Sequence, residues 1–118
     1  MAINRQLVFD KYDGHCAYCG EVITIGNFQV DHIRPQFGYV KGHSKCNYDL
    51  NGFDNLNPAC RSCNHHKKTF SIEGYRHELQ MQVSRIRSTQ FKRALKYGQV
   101  KITESPIVFY FEECILMR

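Results

Sequence analysis

Two pairs of cysteines constrain this chain more than any other feature of its sequence. Cys16 and Cys19 form one C-x2-C pair, and Cys60 and Cys63 form another. Four thiolates at this spacing are the ligand set of a tetrahedral zinc site, and four protein ligands leave no open position for substrate. The sequence therefore predicts a structural zinc ion, with free thiols, a redox pair and an iron-sulfur cluster as the alternatives.

The two cysteine pairs are 40 residues apart, which is longer than the gap in a usual zinc ribbon. A folded insert, residues 22–58, is therefore expected between the two knuckles. A chain of 118 residues builds only a modest core. We therefore expect a single domain, 1–118, that the zinc site stabilises. His43 and Cys46 lie in the insert and could form a second metal site, but two ligands are weak support for one.

The residue pattern predicts an α+β fold. A short helix over Asn4–Tyr12 ends at Asp13-Gly14, and residues 22–33 predict two short strands with a turn. Residues 36–52 predict a long loop. The further elements are a helix from residue 71 whose apolar stripe extends to residue 86, a helix over 89–97 that stops at a glycine, and a C-terminal strand pair within 99–116.

Charge indicates the kind of partner. The chain has 16 basic and 11 acidic residues, a formal net charge of +5, and residues 76–101 hold seven basic residues and one acidic residue. A concentrated positive segment favours a polyanionic partner such as nucleic acid. The absence of a long uncharged apolar run and of a signal-peptide core predicts a cytoplasmic protein with no membrane partner.

Three short motifs accompany the cysteines: V-D31-H32-I-x-P, then D-N55-L, then C-N64-x-x-K67. Together they resemble the HNH endonuclease family of phage and bacterial proteins, and the resemblance covers roughly residues 14–68. The family implies a small zinc-stabilised ββα-metal (His-Me finger) core with flanking helices. Many relatives have histidine where this chain has Asn64, which makes it an HNN-like variant.

The resemblance implies a role for each motif residue in hydrolysing a phosphodiester. His32 is the expected general base, because imidazole titrates near cellular pH. Asp31 and Asn64 are the expected oxygen ligands of a catalytic Mg²⁺ or Mn²⁺. Asn55 is expected to fix the backbone near His32 by hydrogen bonds across the loop, with Asn57 as a less favoured substitute, and Lys67 to contact the scissile phosphate.

One geometric difficulty accompanies these roles. Successive side chains of a strand point to opposite faces, so Asp31 and His32 serve one site only if the strand ends or bulges there. The expected contacts to DNA are basic residues near the motifs and on the helical extension, residues 71–98. On this extension Arg76, Gln80 and Arg87 form a predicted stripe that could follow a phosphate backbone. The full set of expected DNA-binding residues is Arg34, Arg61, His66, Lys68, Arg76 and Arg87.

The leading functional prediction is a DNA endonuclease with structural Zn²⁺ and catalytic Mg²⁺ or Mn²⁺, acting on duplex or branched DNA. One active site nicks one strand, so double-strand cleavage requires a homodimer or successive nicks, and a complex with phage or host proteins is left open. Two other classes are a catalytically inactive zinc-stabilised nucleic-acid-binding accessory module and a thiol redox or regulatory protein.

Overall fold

A computed structural model describes residues 3–34 and 50–116 of the chain. Residues 35–49 lie outside these ranges. They include most of the predicted long loop and the possible second metal site of His43 and Cys46. The described elements are α1 (Arg5–Asp10), β1 (Gln29–His32), a 3-10 turn (Phe53–Asn55), β2 (Leu56–Ala59), α2 (Arg61–Lys67), α3 (Ile72–Met81), α4 (Thr89–Lys96) and α5 (Tyr110–Leu116). This composition of short helices and one small sheet confirms the predicted α+β class.

The sheet pairs β1 with β2 in antiparallel register, with Asp31 opposite Asn57 and His32 opposite Leu56. The prediction of two strands within residues 22–33 is wrong: only β1 forms there, and Val22 contributes a single bridge to His15. The partner strand is instead Leu56–Ala59, whose residues are all buried. Its sequence contains asparagine and proline, which are rare in strands, so burial and pairing override local preference here.

Helix α2 packs against β1, and α1 packs against β2. Asn4 caps α1 by accepting a hydrogen bond from the main-chain N–H of Leu7 at 3.2 Å. The apolar core around this ββα arrangement includes Val8, Ala17, Tyr18, Phe28, Leu56, Ala59 and Phe109. The two strands and α2 thus bring the predicted motifs onto one small scaffold.

The predicted C-terminal strand pair is wrong, because residues 101–109 contain no strand and Tyr110–Leu116 form α5. The main-chain N–H groups of Tyr110 and Phe111 donate to the carbonyls of Tyr18 and Ala17, at 3.1 and 2.8 Å. Glu112 accepts from the N–H of Phe109 at 2.9 Å. These bonds satisfy N–H groups that a helix start leaves unpaired, so contact with the first knuckle selects a helix from an ambiguous apolar run.

The described residues divide into two compact units, one from Met1–Ile72 with Val108–Arg118, and the other Glu73–Ile107. The motif core, residues 14–68, lies in the first unit. Most of the helical extension lies in the second. Helix α4 begins after the capping residue Ser88 and ends before Gly98, as predicted. Helix α3 ends at Met81, so the predicted apolar stripe does not continue to residue 86 as one helix. None of the helices in the described ranges has the length and apolar character needed to cross a membrane.

Candidate active site and metal centre

The four predicted zinc ligands converge. Their Sγ atoms all lie within 4.8 Å of one another, and the Cys19 and Cys60 sulfurs are 3.9 Å apart. None of the described cysteines is in a disulfide. Zn–S bonds of about 2.3 Å in a tetrahedron place sulfur atoms roughly 3.8 Å apart. The cluster therefore fits a four-coordinate zinc site.

The thiols of the cluster affect one another's pKa values. A hydrogen bond from Cys63 lowers the pKa of Cys16 to about 4 against the opposing effect of burial. Burial, together with the charge of Cys16, raises the pKa of Cys19 to about 11. Ionisation of the first thiol therefore opposes ionisation of the second. A bound divalent cation allows all four sulfurs to be negatively charged together.

The backbone of each knuckle donates a hydrogen bond to a cysteine sulfur. Main-chain N–H groups of Glu21 and Cys63 donate to the sulfurs of Cys19 and Cys60, at 3.5 and 3.3 Å. Gly20 has φ +80°, and a Cβ there would lie 2.8 Å from Cδ1 of Tyr110. Glycine takes a positive φ without strain, and α5 adds a steric reason for glycine at this position.

Asp31, a predicted ligand of the catalytic cation, is buried, at 3% exposed. Its Oδ2 accepts a hydrogen bond from the hydroxyl of Tyr18 and lies 3.1 Å from Nζ of Lys67. Burial raises the pKa of Asp31, while Tyr18, Lys67 and more weakly His32 lower it. The carboxylate is thus held by one neutral donor and one cation in a buried setting, which requires such partners.

Asn64 reaches the same face of β1 as Asp31. Its side-chain Nδ2 donates to Oε1 of Gln29 at 3.1 Å, and Gln29 stands two residues before Asp31 in the strand. Residues two apart in a strand share a face. The amide nitrogen makes this contact. The hydrogen bond to Gln29 therefore does not involve the amide oxygen, which is the atom that binds hard cations.

His32 is the last residue of β1, so the strand does end where the shared site requires it. Its burial differs from that of Asp31, in keeping with alternation along the strand. Nε2 of His32 lies 2.9 Å from Oδ1 of Asn51 and donates to it. In a neutral imidazole with this hydrogen bond, the second ring nitrogen, Nδ1, is the acceptor. Asn51 was not among the residues predicted from the sequence, because it lies in a segment without periodicity.

Asn55 makes hydrogen bonds that connect the turn before β2 to the chain after β1. Its Oδ1 accepts from the N–H of Arg34 at 2.7 Å, and its Nδ2 donates to the carbonyls of Arg34 and Leu50 at 3.1 and 2.8 Å. The N–H of Ile33 donates to the main-chain oxygen of Asn55 at 2.8 Å. Asn57 instead lies in β2, so the backbone contacts expected near His32 belong to residue 55.

Lys67 does not occupy the predicted position. It is 0% exposed, and Nζ donates to the main-chain oxygen of His32 at 3.0 Å besides pairing with Asp31. The expected contact to a phosphate does not fit this placement, because the ammonium faces inward from α2 onto β1. The ion pair with Asp31 explains the difference, since it permits a lysine to be buried.

Most of the predicted DNA-binding side chains are exposed: Arg34, Arg61, His66, Lys68 and Arg87. Arg76 is partly buried and is engaged within its own unit, where Nε donates to Glu73 at 3.0 Å and the guanidinium donates at close range to the carbonyl of Ile107. Because α3 ends at Met81, Arg76 and Arg87 do not lie on one helix face. The predicted stripe that included both residues is therefore wrong.

One family model and two known proteins are similar to this chain. Residues 16–70 match the family model described as HNH endonuclease. The chain is 32% identical over 97 residues to the CRISPR-associated endonuclease Cas9 of Corynebacterium diphtheriae, covering 69% of this chain and 8% of that protein. The crystal structure of the Type II-C Cas9 enzyme from Actinomyces naeslundii aligns with 22% identity and a TM-score of 0.49, over 79% of this chain and 10% of that one.

The chain therefore spans about a tenth of the length of these two relatives. The matched segment contains both cysteine pairs and all three motifs. The resemblance seen in the sequence is confirmed by this match of residues 16–70 to the HNH endonuclease family model.

Proposed function

We propose that this protein is a metal-dependent DNA endonuclease that nicks one strand by hydrolysing a phosphodiester bond. The observation that supports the proposal is the hydrogen bond from Asn64, in α2 beside the four-cysteine cluster, to Gln29, which shares a face of β1 with Asp31. Carboxylate and amide oxygens suit Mg²⁺ or Mn²⁺, so these donors fit the catalytic cation of the family. When bound, such a cation supplies charge neutralisation at the phosphate.

The chain's own residues have distinct tasks in this proposal. His32 accepts a proton from water at Nδ1, because Nε2 is oriented by Asn51 at 2.9 Å. Asn55 holds the backbone that follows His32. The cysteine cluster holds zinc as a structural ion, and Asn64 directly follows the ligand Cys63, so zinc positions this amide.

Lys67 takes a different task from the one expected from the sequence. Its Nζ joins the carboxylate of Asp31 to the main-chain oxygen of His32, so it fixes α2 against the end of β1. Exposed basic side chains, Arg34, Arg61 and Lys68 with His66, supply the contacts to DNA phosphates.

Supercoiled plasmid tests the proposal directly. The zinc-loaded protein is incubated with plasmid and Mg²⁺ or Mn²⁺, and nicked circles are separated from linear DNA by electrophoresis. Metal-dependent conversion to nicked circles is expected, with linear product appearing later through second nicks or through a dimer. Absence of nicking with every divalent metal contradicts the proposal.

A second candidate is a DNA-binding module without catalysis. It is favoured by one observation: the Asp31 carboxylate, a proposed metal ligand, is already neutralised by buried Lys67 at 3.1 Å. This candidate predicts salt-sensitive binding to plasmid without nicking in any metal. A gel-shift experiment run beside the cleavage assay separates the two functions.

A further inference from the structure

Tyr18 lies between the two cysteines of the first knuckle, and neither the motifs nor the proposed chemistry assigns it a task. Its hydroxyl donates to Oδ2 of Asp31, 13 positions along the chain. The contact therefore joins the cysteine cluster directly to a proposed ligand of the catalytic cation. The second knuckle already has such a connection, since Asn64 follows Cys63.

The ring of Tyr18 is held firmly from several sides. It is 4% exposed and makes edge-to-face contacts with Phe109 and Phe111, with ring centroids 5.4 and 6.0 Å away. Its main-chain oxygen accepts from the N–H of Tyr110 at 3.1 Å. Because the ring is packed in this way, the position of the hydroxyl is set by the core. The hydroxyl therefore orients the carboxylate of Asp31, rather than the reverse.

The direction of hydrogen bonding through Tyr18 is also fixed. Nδ2 of Asn57, which stands opposite Asp31 in the sheet, donates to the Tyr18 hydroxyl oxygen at 3.5 Å. The hydroxyl then donates its own proton to Asp31. A phenol O–H is a neutral donor, so Asp31 gains a hydrogen bond here without a second positive charge.

The two oxygens of Asp31 differ as a result. Oδ2 has both the Tyr18 hydroxyl and Nζ of Lys67 at 3.1 Å, whereas among the described residues the hydrogen bond to Oδ1 comes from Lys67, at 3.4 Å. A divalent cation competes electrostatically with the Lys67 ammonium but does not repel a neutral hydroxyl. Tyr18 is thus the partner of Asp31 that is compatible with a bound cation.

We propose that Tyr18 is a positioning residue, which couples the first zinc knuckle to the active site by holding Oδ2 of Asp31 so that Oδ1 faces the divalent cation. This inference rests on the proposed function. It assigns the two knuckles parallel tasks, one orienting Asp31 through Tyr18 and the other orienting Asn64. Hydrogen-bond partners of metal ligands commonly tune affinity in this way.

The test is Tyr18→Phe, which removes one hydroxyl and keeps the ring that packs against Phe109 and Phe111. Mn²⁺ binding to the zinc-loaded protein is measured by electron paramagnetic resonance of free Mn²⁺, and zinc content is measured in parallel. The Mn²⁺ dissociation constant is expected to rise roughly tenfold or more, the range typical for loss of such a partner. The Mn²⁺ concentration for half-maximal nicking should rise in parallel, with an unchanged KM for DNA.

Tyr97→Phe is the matched control, because Tyr97 is 78% exposed and the chemical change is the same. Unchanged Mn²⁺ affinity in folded, zinc-loaded Tyr18→Phe overturns the inference, even if thermal stability falls. Asn57→Ala supplies a second variant, expected to weaken Mn²⁺ binding less than Tyr18→Phe; if both variants match the wild type, the coupling is absent. Failure of the wild type itself to bind Mn²⁺ or nick DNA contradicts the proposed function and is thereby distinguished from failure of the Tyr18 assignment.

Discussion

Lys67 and Asp31 form an ion pair at 3.1 Å in which the side chains are 0% and 4% exposed. Such a pair is costly to assemble but more costly to break, because removal of one partner leaves an uncompensated buried charge. The pair also connects the end of α2 to β1, since Nζ of Lys67 donates to the carbonyl of His32 at 3.0 Å. Its loss therefore concerns both stability and the geometry of the proposed active site.

Lys67→Met is expected to lower the free energy of unfolding by about 3–5 kcal/mol, the usual effect of removing one member of a buried pair. Chemical denaturation of the zinc-loaded protein at neutral pH measures it. Lys68→Met is the control, because Lys68 is exposed and adjacent. Adding Asp31→Asn to Lys67→Met should recover part of the loss; no recovery would show that the ion pair is not the cause.

Asn55→Ala tests the hydrogen bonds that fix the chain after His32. The side chain is 1% exposed and bonds to the main chain of Arg34 and Leu50. Loss of these bonds should destabilise the protein by about 2–3 kcal/mol, because buried backbone groups lose their partners. Amide exchange at Arg34 should accelerate, as measured by mass spectrometry. Asn27→Ala, in an exposed turn, should leave the exchange at Arg34 unchanged.

The cysteine cluster and the motif residues were predictable from the sequence because ligand spacing and residue chemistry are local. Cys16 and Cys19 with a following glycine are a local signature of a knuckle, because glycine readily takes the positive φ that Gly20 has. Asn55 could be preferred over Asn57 from its place before Leu56. These predictions required no knowledge of which segments meet in three dimensions.

The remaining features depend on contacts between distant segments. Strand β2 carries asparagine and proline and is selected by burial against β1. Helix α5 is selected by the carbonyls of Ala17 and Tyr18, which accept its first N–H groups. Burial of Lys67 required knowledge of its ion pair, because lysine is otherwise a surface residue. Tyr18 carries no motif signal, and only the fold brings its hydroxyl to Asp31.

Gly20→Ala is expected to destabilise the protein by about 2 kcal/mol or more. The residue has φ +80°, which costs an alanine about 1–2 kcal/mol, and the added Cβ would lie 2.8 Å from the ring of Tyr110. Thermal unfolding measures the effect. Gly26→Ala is the matched control, because a Cβ there meets no atom within 4 Å. Equal melting temperatures for the two variants would contradict the steric account of α5 and the knuckle.

Cys60→Ser should abolish stoichiometric zinc binding and unfold the unit that contains the knuckles. The free energy of a structural zinc site, about 10–16 kcal/mol, is comparable to the whole stability of a small domain. Zinc content by mass spectrometry and near-ultraviolet circular dichroism measure the two effects. Cys114→Ser is the control, because Cys114 lies outside the cluster, in α5. A folded Cys60→Ser protein with full zinc content would contradict the four-sulfur site.

His32→Ala should reduce metal-dependent nicking by at least about a hundredfold, the lower range for loss of a general base. Zinc content and thermal stability should change little, because His32 is only partly buried and contacts Asn51 through its ring. Nicking rates at saturating Mn²⁺ are compared with those of His77→Ala, whose imidazole is exposed in α3. Asn51→Ala should lower the rate less than His32→Ala, since it frees the imidazole without removing the base. Full activity in His32→Ala would remove this side chain from the chemistry and leave the water to be activated by another group.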